Sequence, residues 1–234
     1  MIPDRKEGRL YAMREFLKRS PYLYKILLNV FSPVCTIFKN YKILVERLPD
    51  HAKIINIGSG NFRLNKKIIN LDKYPYKNVD IIAAAENLPF KDSSCQGVIS
   101  NVLTEHLKKP QLHIKEIFRV LESGGLMYAI VPFVVGYHSA PRDYYRWTED
   151  GVRELFSDFQ VIELGVAGGP SSGFLWIFQE WLAILFSFNC RIVYELLLVL
   201  LMLVTFPIKF LDLILSRYRF AKNIASSFYV LVKK

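Results

Sequence analysis

The apolar and polar positions divide the chain into four stretches. Residues 8–48 place apolar side chains at helical spacing: Leu10, Met13 and Leu17, then Leu23, Ile26, Leu27, Val30 and Phe31. Lysines and arginines fill the opposite face, and Ser20-Pro21 and Ser32-Pro33 break the run, because proline opens helices but does not sit inside them. Two arrangements fit: a helical cap packed beside a sheet, or a basic amphipathic helix lying on anionic lipid. Short β-rich runs follow, predicting strands at 53–58, 67–72, 79–83, 96–101, 126–132 and 159–166. A helix is expected over about 111–121, closed by Ser123-Gly124-Gly125, and another opens with Thr148 as N-cap. From 174 to 215 the chain is apolar, interrupted chiefly by Gln179, Glu180, Asn189, Arg191, Glu195, Lys209 and Asp212. Residues 225–233 read as a last strand. The expected organisation is a helical segment over 1–50, an α/β unit over 51–170, an apolar helical insertion over 171–224 and a final strand over 225–234.

Two of these runs carry chemistry. Residues 54–60 read Ile-Ile-Asn-Ile-Gly-Ser-Gly, and 68–72 read Ile-Ile-Asn-Leu-Asp. A buried parallel strand that breaks into glycines lets a ligand lie against bare backbone, and a carboxylate at the tip of the next strand accepts from both hydroxyls of a ribose. A dinucleotide fingerprint would need a third glycine where Arg63 stands, and no Gly-Lys-Ser/Thr follows to make a phosphate loop. A nucleoside cofactor without phosphates, S-adenosyl-L-methionine (SAM), fits this spacing better.

Further along come Asp-Ile-Ile-Ala-Ala-Ala-Glu-Asn-Leu-Pro-Phe at 80–90, Gly-Val-Ile-Ser-Asn at 97–101, Leu-Thr-Glu-His at 103–106 and Ile-Phe-Arg-Val-Leu-Glu-Ser-Gly-Gly at 117–125. With these ordered motifs, roughly 52–165 resembles the class I SAM-dependent methyltransferases, specifically the type 11 methyltransferase domain group. The resemblance implies a mostly parallel seven-stranded sheet whose last strand inserts antiparallel beside the fifth. It implies that Ile57, Gly58, Ser59 and Gly60 pass under the methionine end of SAM and that Asp72, with Lys73 beside it, holds the ribose. Ala85 and Glu86 would flank the adenine, and Asn101 would sit near the sulfonium. Two positions depart from the family pattern: Ala84, where an aspartate commonly accepts from the adenine amino group, and Gln96, where an aspartate usually precedes the fourth strand.

The segment after the fifth strand, Pro132-Phe-Val-Val-Gly-Tyr-His-Ser-Ala-Pro-Arg-Asp-Tyr-Tyr-Arg-Trp-Thr148, gathers a histidine, a carboxylate, an arginine and aromatics at the carboxyl end of the sheet. It resembles a segment of methyltransferases found with surface-glycan and glycolipid assembly. His138 and His106 are candidate bases for a hydroxyl acceptor, with Asp143 orienting an imidazole or Arg146. Tyr137, Tyr145 and Arg146 are candidate substrate contacts. The competing reading makes Asp143 and Arg146 a loop-pinning pair at helical spacing and His106 a helix cap.

Charge and cysteines narrow the partners. Lys plus Arg outnumber Asp plus Glu by 31 to 21, a net +10, which suits anionic lipid, acidic substrates or nucleic acid. Nucleic-acid methylation is disfavoured because Ser100-Asn-Val-Leu stands where base-amino methylases carry Asp/Asn-Pro-Pro-aromatic. Cys35, Cys95 and Cys190 form no Cys-x-x-Cys, so neither a metal site nor a disulfide framework is expected. The N-terminal residues lack the apolar core of a signal peptide, so a cytoplasmic catalytic unit is expected. The apolar insertion, followed by Arg217, Arg219 and Lys222, is read first as a hairpin on or in one leaflet, with a two-pass hairpin and a soluble helical lid as alternatives. The expected activity is SAM-dependent methylation, O-methylation favoured, of a small-molecule, lipid or lipid-linked acceptor at a membrane. A SAM-binding scaffold without catalysis is the non-enzymatic alternative.

Overall fold

The computed structural model describes residues 40–139 and 141–234. The helices expected before residue 40, and Cys35, lie outside the described residues. The elements run α1 (Lys42–Val45), β1 (Ile54–Ile57), β2 (Ile69–Asp72), β3 (Ile81–Ile82), β4 (Cys95–Asn101), a 3-10 turn (Thr104–His106), α2 (Pro110–Val120), β5 (Leu121–Pro132), α3 (Glu149–Leu155) and β6 (Gln160–Gly168). Then come α4 (Pro170–Ser187), α5 (Arg191–Thr205), a 3-10 stretch (Phe206–Leu211), α6 (Asp212–Leu215) and β7 (Ser227–Lys233).

The seven strands lie in the order β3-β2-β1-β4-β5-β7-β6. β1, β2, β3, β4 and β5 pair in parallel, and β7 runs antiparallel to both β5 and β6. This is the Rossmann-like order, with the reversed last strand where it was expected. The β-branched runs form strands because both faces are covered. On one face Ile55, Ile57, Val98, Met127 and Val230 pack with Ile114 and Ile117 of α2 and Val152 of α3. On the other, Ile54, Ile99, Tyr128 and Leu231 pack with Leu44 of α1. Burying such aliphatic side chains is worth about 1.5–3 kcal/mol each.

Three details differ from the sequence reading. β3 is only two residues long, although the Asp80 and Ala83 N–H groups beside it still donate to the Asn70 and Asp72 carbonyls of β2, and Arg63 braces the same edge through Asn78 O and Asp80. α2 ends at Val120, and β5 begins at once. The residues between Leu121 and Leu126 form a bulge, with Gly124 at positive φ and its N–H on the Lys234 carbonyl. The aspartate-for-Gln96 departure lies at the far end of β4 from the glycine turn. There Gln96 accepts from the Lys53 N–H and donates to Glu122, a structural link.

The insertion leaves and rejoins the sheet at one point. Gly168 pairs with Ser227, and Pro132 also pairs with Ser227, so α4, α5 and α6 grow from the same sheet end that carries Asp72, Asn101 and the loop after β5. Asp212, buried on the returning leg, accepts from the N–H groups of Ser171 and Ser172 at 2.7 and 2.9 Å and from the Ser172 hydroxyl. It therefore supplies the anion that the start of α4 lacks in its own sequence.

Candidate active site

The glycine turn follows β1 directly. Gly58 and Gly60 have φ of +71° and +54°, a region costly for side-chain-bearing residues. A Cβ on Gly58 would also lie 2.8 Å from Leu103, whereas one on Gly60 would meet nothing within 4 Å. The turn is thus closed beneath and open above Gly60. Asp72 ends β2 beside it: one carboxylate oxygen accepts from the Gly60 N–H at 2.8 Å and the other from the Tyr74 N–H at 2.9 Å. Each oxygen keeps a second lone pair for a ligand hydroxyl. Ile57 is wholly buried and offers only backbone; Ser59 is buried, and Lys73 is exposed.

Beside the turn, the 83–86 segment is built around His113 of α2. Its Nδ1 donates to the Ala85 carbonyl at 3.0 Å, so its Nε2 accepts from the Ser100 hydroxyl at 3.0 Å. Complete burial pushes the imidazole pKa down to about 4, so it stays neutral and holds the 83–86 segment against β4. Ala85 is buried here and Glu86 half-buried. At the end of β4, the Asn101 Oδ1 is buried without a hydrogen-bond partner. The next residue, Val102, has φ of +52°, unusual strain for a β-branched side chain.

Opposite lies the loop after β5, stapled to the turn after β4. The Tyr144 N–H donates to Glu105 O, the Tyr145 hydroxyl to Lys108 O and His106 Nδ1 to Arg142 O. His106 therefore ties two loops together instead of capping a helix. The His106 and His138 rings meet edge to face at 5.3 Å, and Trp176 of α4 lies 5.6 Å from His138. Asp143 and Arg146 do pair, doubly, at 2.5 and 2.6 Å, but within extended loop rather than on a helix. All five guanidinium N–H groups are engaged, by Asp143 and the carbonyls of Val135, Gly136 and Tyr145. Asp143 also accepts from the His138 N–H. Burial raises the Asp143 pKa, but Arg146 and that N–H outweigh it and hold the group at about 2. For His138, burial lowers the pKa, and the facing Glu105, the Gly136 carbonyl and Asp143 together bring it above the usual value. A shallow cleft of about 300 Å³ brings together Tyr137, Tyr145, Arg146, Asp143, Val135 and Tyr144. A hollow of about 430 Å³ at the hairpin tip, lined by Ser187, Cys190 and Tyr194, contains none of the expected site residues.

One residue of this site was not singled out from sequence. Glu105 is fully buried, and neither carboxylate oxygen has a hydrogen-bond partner. A carboxylate inside an otherwise short turn, directly before a candidate histidine, was the available signal.

Comparison with known proteins agrees with this layout. Residues 61–129 match the family model described as the methyltransferase domain, a span that begins directly after Gly60 and ends in β5. Among solved structures, a chain of the complex between the Haloferax volcanii Trm112 methyltransferase activator and a methyltransferase is 18% identical, covering 97% of this chain and 98% of that one (TM-score 0.52). A SAM-dependent methyltransferase from Archaeoglobus fulgidus is 13% identical over 97% of this chain and all of that one (TM-score 0.52). The [4+2]-cyclase SpnF is 14% identical over 94% and 96% (TM-score 0.52). No curated protein matches the chain. Residues 61–129 thus match a methyltransferase domain, the fold is the Rossmann-like fold of SAM-dependent methyltransferases, and S-adenosyl-L-methionine is the cofactor that this likeness implies. The residues present fit that group: an open glycine turn, a carboxylate with spare lone pairs beside it, and an unpartnered Asn101 oxygen at the end of β4.

Proposed function

We propose that the chain is a membrane-associated methyltransferase that transfers a methyl group from SAM to the oxygen of an amphipathic acceptor, a lipid or lipid-linked saccharide. SAM supplies an electrophilic methyl carbon. In this reading Gly58, Ser59 and Gly60 support its methionine portion, Asp72 holds the ribose, Ala85 and Glu86 border the adenine, and Asn101 lies beside the sulfonium. The acceptor lies in the cleft of Tyr137 and Tyr145. Arg146 and Asp143, engaged with each other and with loop carbonyls, position that wall. His106 and His138 each donate from Nδ1 to a carbonyl, so each Nε2 carries a lone pair that can take the hydroxyl proton. Alignment and exclusion of water supply the rest of the acceleration.

The observation that carries the membrane part is the outer face of the hairpin. Phe174, Ile177, Trp181, Ile184 and Leu185 form one exposed stripe at helical spacing along α4, with Phe188 exposed just beyond its end, and Ile192, Leu196, Leu200, Leu203 and Val204 form another along α5. Contiguous apolar surface of this extent marks an interaction site. Trp176, on the same α4, touches the His138 loop, so whatever covers the stripe stands next to the acceptor cleft. Arg191–Leu215 is long and apolar enough to cross a membrane, with mean hydropathy 2.3, but the 3-10 stretch containing Pro207 interrupts it. Both ends of the insertion meet at Gly168 and Ser227, which favours a hairpin lying in one leaflet on the cytoplasmic side. Arg217 and Arg219, exposed just beyond, suit anionic headgroups.

Incubation with methyl-labelled SAM and total membrane lipid extract tests the reading. Label in an organic-phase lipid supports it; label confined to water-soluble products, with no binding to anionic vesicles, overturns the membrane part. Ala84 favours a second reading, a SAM-binding scaffold, since no carboxylate stands there to accept from the adenine amino group. Calorimetric SAM binding without label transfer to any extract would establish that alternative.

A further inference from the structure

We propose that Glu105, His106 and His138 form a binding site for one first-row divalent cation of the zinc, cobalt or manganese kind, open on one side to an acceptor oxygen. Their ligand atoms lie within 4.8 Å of one another, and among the described residues they form the one histidine–carboxylate cluster able to converge on an ion. The Nε2 atoms of His106 and His138 stand 3.8 and 3.7 Å from the same Glu105 oxygen, too far for hydrogen bonds. Ligands on a tetrahedral ion with bonds of about 2.1 Å are separated by about 3.4 Å, so each histidine–carboxylate pair needs only a small contraction.

Two independent features point to a cation. Glu105 is completely buried with both oxygens unpartnered, an arrangement that costs several kcal/mol unless a charge compensates it. Both imidazoles are also turned the way metal ligands are turned. His106 Nδ1 lies 2.6 Å from Arg142 O, and His138 Nδ1 lies 3.1 Å from Gly136 O and 3.4 Å from the Arg146 guanidinium, so both rings turn Nε2 towards Glu105. Two imidazole nitrogens and a carboxylate oxygen thus face one point. Two imidazoles and a carboxylate suit borderline ions over magnesium or calcium. Three protein ligands leave a coordination position free, the pattern of sites that bind a further oxygen. Because both Nε2 atoms become ligands, this inference deepens the proposed function: the cation would lower the pKa of a bound hydroxyl so that its proton passes to solvent before the oxygen takes the methyl group, replacing the imidazole as activator. The binding site itself does not depend on that reading. Cysteine spacing could not reveal it, since its ligands are adjacent residues plus one brought from 32 positions away by the β5 loop.

The test is titration of chelator-treated full-length protein with Co²⁺, followed by visible absorbance, without SAM or acceptor. The expected result is one equivalent bound with ligand-field bands. Affinity should fall by about 100-fold or more in Glu105→Gln and His138→Asn and be unchanged in His51→Ala, which removes an exposed histidine. Circular dichroism melts establish folding, and His138→Asn, on a half-exposed loop, carries the test if Glu105→Gln unfolds. Absence of saturable binding, or binding that survives both substitutions, overturns the site. So does nitrogen NMR showing a proton on the His138 Nε2 in chelator-treated and Co²⁺- or Zn²⁺-supplemented protein alike. Because the readout uses no methyl transfer, its failure leaves the methyltransferase reading standing.

Discussion

On the cofactor side of the cleft, polar groups are answered by nearby backbone. Asp72 takes the Gly60 and Tyr74 N–H groups, and Asn70 takes the Asn56 amide while donating to Phe62 and Asn78 carbonyls. On the acceptor side, oxygens of Thr104 and Glu105 are buried with no partner, and the adjoining hairpin shows apolar side chains to the outside. The cofactor half satisfies its polar groups internally except for the Asn101 oxygen at the end of β4; the acceptor half is complete only with something added. Buried unpartnered oxygens cost about 1–3 kcal/mol each, so this difference locates where binding energy is to be gained.

The comparison can be broken most severely at the root of the hairpin. Asp212→Ala leaves two buried N–H groups and a hydroxyl at the start of α4 without an acceptor, and should cost about 3–5 kcal/mol. Urea denaturation measures this, and the loss should come with weaker vesicle binding while SAM binding persists.

Next in size is a pH effect confined to the cofactor half. His113 has a folded-state pKa of about 4 against an unfolded value of about 6.5. The unfolded chain takes up a proton first, so this contribution is fully present above pH ~6.5 and is lost progressively down to pH ~4, amounting to about 3 kcal/mol. Urea midpoints at neutral and acid pH should show it, and a His113→Gln variant should have a correspondingly flatter profile.

Much of the cofactor half was readable in advance because its signals are local. β1 and β2 are short isoleucine- and leucine-bearing runs, each with one asparagine, the positive-φ turn needs glycine at 58 and 60, and Thr148 caps α3 by accepting from the Gly151 N–H. The acceptor half was readable only in outline because its partners are distant in sequence. Asp212 looked like an interruption of an apolar run, yet it anchors a helix that begins some forty residues earlier. Spacing suggested a helical Asp143–Arg146 pair, and the pair forms in a loop whose path is set by His106 and Tyr145. Glu105 carried no periodic signal, since its neighbours are assembled by the fold.

Smaller effects sharpen the contrast. Ile184→Ser with Leu196→Ser alters two side chains that are 64% and 66% exposed, so stability should change by less than about 0.5 kcal/mol. Co-sedimentation with anionic vesicles should nevertheless fall at least about tenfold, because each serine buries less apolar surface in lipid, worth roughly 1 kcal/mol per site. Val102→Gly should relieve the positive φ between the two halves and stabilise the fold by about 1 kcal/mol in denaturation.

The central claim is that SAM lies over the glycine turn with its ribose on the carboxylate at the end of β2. Calorimetry of the full chain with SAM, beside Asp72→Asn, tests it most directly. Saturable one-to-one binding, weakened at least tenfold in a variant that melts like the parent, is the predicted result. Absence of heat with the parent protein at millimolar SAM, or equal affinity in the variant, would contradict it.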